Sequence, residues 1–180
     1  MKIVRMNRAS LALTVLLAAL RTEADLPKLD SHLEPLRPLL EKTWRGPFKN
    51  SKPDQPVIDI AHWERALNGR AVRILHSINN GVYGGETLIM WDEQKQSVVY
   101  HYFTTAGFDT EGTMTFKEGK ITSTEKVQND KDGTTEVRAV MDFLPMGGFH
   151  VKADYLTKGE WKLGHEADYK EDATAKVVFK

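Results

Sequence analysis

Six histidines, two paired tyrosines and two arginines are the residues of this chain whose types suit small-molecule chemistry. The histidines stand at positions 32, 62, 76, 101, 150 and 165. A metal site needs two or three of them converging, as at i and i+2 on a strand or i and i+4 on a helix. None of the six is so spaced, so no metal ligand set is expected. His165 alternates with Trp161, Leu163, Ala167 and Tyr169, and His76 with Val72, Ile74 and Ile78, which aims both inward. Tyr100 and Tyr102 share a face with Val98 and Thr104, while His101 and Phe103 share the opposite face with Val99. One of those pairs must line an interior, where a phenol or imidazole orients the polar end of a ligand. Arg73 alternates with Ala71, Leu75 and Ser77 and is a candidate ligand contact. Arg138 alternates with Glu136 and Asp142 and reads as a solvated residue.

Other patterns carry less. Asp130-Lys131-Asp132-Gly133 resembles part of a calcium loop, but Gln128 and Ala139 stand where such a loop needs its first and last acids, so it is expected to be a hairpin turn. Asn79 to Gly85 is glycine-rich but joins two strands rather than opening a helix, which argues against a phosphate cradle. Glu86 directly after it is a candidate buried acid. The chain has no Gly-x-Ser-x-Gly or His-Glu-x-x-His signature.

The elements that position these residues are strands. Phe108, Gly112, Met114 and Phe116 fall on one face of an extended segment, with Asp109, Glu111, Thr113 and Thr115 on the other. That period of two marks a half-buried antiparallel strand. Similar runs follow at short spacing: Val57–Leu67, Arg70–Ile78, Gly85–Asp92, Ser97–Thr105, Lys120–Val127, Thr134–Phe143, Phe149–Leu156, Trp161–Tyr169 and Ala173–Phe179. Turn signals such as Asn68-Gly69, Glu118-Gly119 and Lys158-Gly159 separate them. A first strand begins near Thr43-Trp44, after a short amphipathic helix with Leu33, Leu36, Leu39 and Leu40 in phase, Ser31 as its cap and Pro38 limiting its length. The predicted fold is all-β: an up-and-down antiparallel barrel of about ten strands with a short N-terminal helix, since closure removes the exposed edges of so long a meander.

Composition bounds the rest. A length of 180 residues with 41% hydrophobic and 28% charged residues suits one globular domain. Lys2, Arg5 and Arg8 precede the uncharged stretch 9–20, and small residues lead to a cut before Asp25, the pattern of a secretory signal peptide over residues 1–24. A twelve-residue apolar stretch is short for a membrane span, which takes about 20. Removal of residues 1–24 leaves 21 basic and 24 acidic residues from 25 of each, which argues against a nucleic-acid partner. With no cysteine there is no disulfide, and the core must stabilise residues 25–180 as a single domain. A periplasmic or secreted location is expected.

Thr43-Trp44-Arg45-Gly46 after a short helix resembles the first-strand motif of the calycins, the superfamily of lipocalins and fatty-acid-binding proteins. Gly84-Gly85-Glu86, Trp91-Asp92, the aromatic strand Val99 to Thr105 and Gly112-Thr113 are more similar to uncharacterised bacterial secreted families of that group. The resemblance implies a barrel that carries a small apolar molecule. It implies a carboxylate held by an inward arginine, for which Arg73 is the candidate, or haem held by one inward histidine, for which His165 and His76 are the candidates. It also implies a late-strand basic residue packed on Trp44, with Lys176 in that place. No cofactor is otherwise expected. Two other functions stay open: an enzyme of lyase or isomerase type on the same barrel, and a filled barrel serving as an interaction module.

Overall fold

A computed structural model describes residues 26–128 and 130–180. The expected signal segment lies outside these residues, as does Asn129 of the turn before Thr134. Ten strands follow one another: β1 (Lys42–Pro47), β2 (Ile58–Ala66), β3 (Ala71–Ile78), β4 (Tyr83–Asp92), β5 (Ser97–Thr104), β6 (Asp109–Lys117), β7 (Lys120–Lys126), β8 (Thr134–Phe143), β9 (Phe149–Thr157) and β10 (Glu160–Glu171). Each pairs antiparallel with the next, and β10 returns to β1, so the sheet is a closed barrel. The closing seam is short, with Trp44 opposite Glu171 and Arg45 opposite Lys170, and a Phe48–Ala167 bridge extends it. Tight turns carry the chain back, as where Glu118 (φ 54°) and Gly119 (φ 75°) take the left-handed geometry that matches strand twist.

One end of the barrel is sealed. The helix expected near the N-terminus is a 3₁₀ helix over Ser31–Leu39, broken from α geometry by Pro35 and Pro38. Its cap is Asp30 rather than Ser31, with the Asp30 carboxylate accepting from the His32 N–H. Leu33, Leu36 and Leu39 are fully buried beneath it. Across the same end, Phe149 stacks on Tyr169 at 4.7 Å and meets Trp44 edge-on at 5.1 Å. Trp44 Nε1–H donates to the Leu39 carbonyl (3.0 Å), tying strand to helix, and Lys42 rather than Lys176 lies over its ring, at 5.6 Å. The main apolar core therefore sits at this end.

The expected last strand over Ala173–Phe179 does not form. Asp172 turns the chain by accepting from the N–H groups of Thr174 and Ala175. The segment then runs over the outside of the barrel, where Val178 N–H donates to Ser77 Oγ (3.1 Å) and Phe179 lies against Gly84. Ser77 is consequently only 1% exposed, although it points outward, and faces Ile60 across the β2–β3 ladder. Among the described residues no helix is long and apolar enough to cross a membrane.

Candidate functional site

Away from the sealed end the barrel holds a cavity of about 450 Å³. Trp63, Ile74, Met114, Ile121, Met141 and Val151 line its deeper part, beside the sealed core. Phe108, Val127, Asp130 and Thr134 form part of the opposite rim, where Phe108 is half exposed. The polar groups of the lining gather toward this rim, because they come from the strand ends there: Asp59 at the start of β2, His76 near the end of β3, Tyr83 at the start of β4, Tyr102 near the end of β5 and Glu125 near the end of β7.

Cross-strand glycines keep the interior open. The rings of Tyr100, Tyr102, Tyr155 and Tyr169 lie flat over Gly112, Gly85, Gly164 and Gly46 respectively. A Cβ at Gly112 would come within 2.5 Å of the Tyr100 ring. With no side chain beneath, each ring rests against the wall rather than across the lumen, and its hydroxyl joins the polar groups.

The hydroxyls of Tyr100, Tyr102 and Tyr169 enter two hydrogen-bonded groups. In the first, Asp59 accepts from the Tyr169 hydroxyl (2.9 Å) and from His76 Nδ1 (2.9 Å). A carboxylate has no proton to give, so it fixes the proton of His76 on Nδ1 and turns Nε2 to the Tyr102 hydroxyl (2.8 Å). Tyr102 in turn meets the Tyr83 hydroxyl at 3.0 Å. Asp59 is 5% exposed and Tyr169 6%, so the contact between these two is shut off from bulk water, while His76, Tyr102 and Tyr83 are partly buried along the cavity wall. Burial first, and then the Asp59 charge, hold the Tyr169 phenol far above its usual range, which keeps it a donor.

The second group is Glu125 with Tyr100 (3.4 Å from hydroxyl to carboxylate), and the buried Thr110 hydroxyl lies close enough to act on the same carboxyl without a hydrogen bond of its own. Burial raises the Glu125 carboxyl above its ordinary value, and the two hydroxyls oppose the shift. Its charge acts on Tyr83, Tyr100, Tyr102 and Tyr155, all of which are raised chiefly by burial. Among the described residues Glu125 has no ion-pair partner. The folded chain therefore holds a proton on Glu125 at a pH where the unfolded chain has released it. Stability from this group is greatest below the ordinary carboxylate value and falls as pH rises through the folded one. Glu125→Gln is expected to remove that loss, so the variant gains on the parent in urea midpoint between about pH 4 and about pH 8. Carboxylates held low elsewhere, such as Asp30 and Asp168, titrate in both proteins and cancel in the difference. Parallel pH profiles would show that Glu125 carries no such shift.

His165 stands apart from both groups. It stacks on Phe48 at 4.7 Å and places Nδ1 3.4 Å from the Tyr155 hydroxyl. Burial lowers its pKa, so the ring is neutral, and Nε2 makes no hydrogen bond among the described residues.

With this geometry in place, the chain can be set beside solved proteins. It is similar to the crystal structure of Rv2717c from M. tuberculosis, with a TM-score of 0.56 over 81% of this chain and 99% of that one. The two share a barrel. At 12% identity the likeness shows the fold alone. No family model matches the chain, and no curated protein matches it.

The cavity brings together four of the residues expected to bind: His165, Tyr100, Tyr102 and His76 all line it. Arg73 does not. It points outward from β3, 40% exposed, and pairs with Glu64 of β2, because its phase is opposite to that of Ile74 and His76. Glu86 is outside the lining as well, and the interior acids are Asp59 and Glu125. The face of His165 holds, and Ala167 and Tyr169 share it as expected, but Trp161 and Leu163 do not. The β9–β10 register shifts between Leu163 and His165, which turns Trp161 and Leu163 outward, 43% and 48% exposed. Asp59, Glu125, Tyr83, Tyr155 and Tyr169 complete the site. Phase was their visible signal: Glu125 alternates with Ile121 and Val127, and Asp59 with Ala61 and Trp63. An acid in step with buried apolar neighbours faces where they face.

Proposed function

We propose that this protein is a periplasmic or secreted, calycin-like carrier that holds one small, largely apolar molecule inside its barrel. The observation that carries this reading is the cavity itself, about 450 Å³, with a mainly apolar deep end and its acids and most of its other polar groups toward the rim. Such a gradient suits a molecule that buries a hydrocarbon body and leaves one polar end to be oriented. The up-and-down barrel and the 3₁₀ helix tied to Trp44 support the calycin likeness. A filled interaction module fits poorly with an open interior kept clear by four tyrosine–glycine pairs. An enzyme of the expected kind needs an acid, a base and a cation together, and Arg73, the cation, lies on the outer surface.

Haem fits unevenly. His76 has both ring nitrogens engaged and is unsuited as an axial ligand. His165 has Nε2 without a protein partner and would be the residue to hold the iron.

Native mass spectrometry of the protein isolated from its own compartment tests the proposal. A copurified small molecule, released on denaturation, is expected. A bare chain that also fails to take up an aliphatic probe such as decanol would overturn it. A Soret band abolished by His165→Ala would replace the simple apolar ligand with haem.

A further inference from the structure

The charges inside the barrel are of one sign. Asp59 and Glu125 line the cavity and Asp130 stands at its rim, whereas no lysine or arginine among the described residues lines it. The two histidines do not offset this. His165 is kept neutral by burial, and His76 places Nδ1 2.9 Å from the Asp59 carboxylate. Glu125 is left as a carboxyl facing the lumen without a cation. Asp130 is an ionised group, since the N–H groups of Asp132 and Thr134 bond its carboxylate and hold its pKa low.

Anionic ligands meet this arrangement badly. A fatty acid would bring a carboxylate beside Glu125, a carboxyl that burial already holds against ionisation, with no cation among the described residues lining the cavity to pair with either group. A protonated amine has the opposite fit. Its N–H groups can donate to Glu125 in a charge-assisted bond, and its charge can lie against the phenol faces of Tyr100, Tyr102 and Tyr155 around it. Its hydrocarbon body would then extend toward Trp63, Ile121 and Met141 at the deep end.

We infer that the cavity selects lipophilic amines: apolar molecules with a single ammonium head seated on Glu125, in preference to matched alcohols or carboxylates. This rests on the carrier function proposed above and adds the ligand class to it. Position supports it as much as charge. Glu125 lies at the end of β7 just inside Val127, so an amphiphile entering body first brings its head level with the carboxyl.

The test is a comparison of decylamine, decanol and decanoic acid, which share one chain and differ in the head, by isothermal titration calorimetry at neutral pH. Decylamine is expected to bind at least about tenfold more tightly than decanol, and decanoate more weakly than both. Glu125→Gln should weaken decylamine by about the same tenfold factor, while Arg73→Ala, on the outer surface, leaves all three affinities unchanged. Equal binding of amine and alcohol, or a preference for decanoate, would overturn the ligand class and leave the carrier function standing. Failure of all three probes to bind would overturn both. An amine preference that survives in folded Glu125→Gln would remove Glu125 from the contact and with it the inference. Should that variant not fold, the amine-to-alcohol ratio in the unaltered chain still decides the class.

Discussion

Phe149→Ala is expected to lower the unfolding free energy by about 3–5 kcal/mol. Phe149 is 2% exposed and sits among Trp44, Trp63 and Tyr169 at the sealed end. Truncation removes its buried area and opens a void among rings too large to collapse into it. Each aromatic contact adds roughly 0.5–1.5 kcal/mol beyond area. Against a total stability of about 5–15 kcal/mol for a typical domain, this loss is severe. Urea denaturation measures it as a lower midpoint at unchanged slope. A loss under about 1 kcal/mol would mean that the sealed end is not where the barrel's stability lies.

Asp59→Ala is expected to be the most damaging change among the cavity-lining polar residues. It strands two donors at once, the buried Tyr169 hydroxyl and the partly buried His76 Nδ1. Each orphaned group costs about 1–3 kcal/mol. Asp59→Asn has one amide oxygen left to accept, so it should cost less than Asp59→Ala, and Tyr169→Phe, which removes a donor instead, should cost least. The order of the three denaturation midpoints checks the network. If Asp59→Ala and Asp59→Asn both denature with the parent, these hydrogen bonds do not contribute to stability.

The two residues differ in how far the chain advertises them. Phe149 opens a strand expected from its alternation, and its burial follows from that phase. Asp59 has the same kind of signal, being in step with Ala61 and Trp63, yet an acid in a strand is ordinarily solvated. Only the partners show why it is tolerated inside, and these come from β3 and β10, distant in sequence. His165 is intermediate. Its inward aim is legible, but Trp161 and Leu163 were expected beside it, and the register shift at Gly164 breaks the period of two between them.

Local spacing determined the strands, their turns and most of their inward faces, because side-chain direction in an extended chain depends only on parity and turn geometry only on neighbouring residues. It also set the limit on the helix, through Pro38. Tertiary structure decided the rest. Closure of β10 on β1 brings Tyr169 against Gly46 and Asp59; the register of β5 with β6 lays Tyr100 over Gly112. Whether a barrel interior is packed or hollow depends on such cross-strand meetings of large and absent side chains, and these are relations between distant residues. The same holds for charge. The chain as a whole is formally neutral, with 25 residues of each sign. Folding turns Arg73 outward and Glu125 inward, and so leaves the interior with an acid that no cation matches among the described residues.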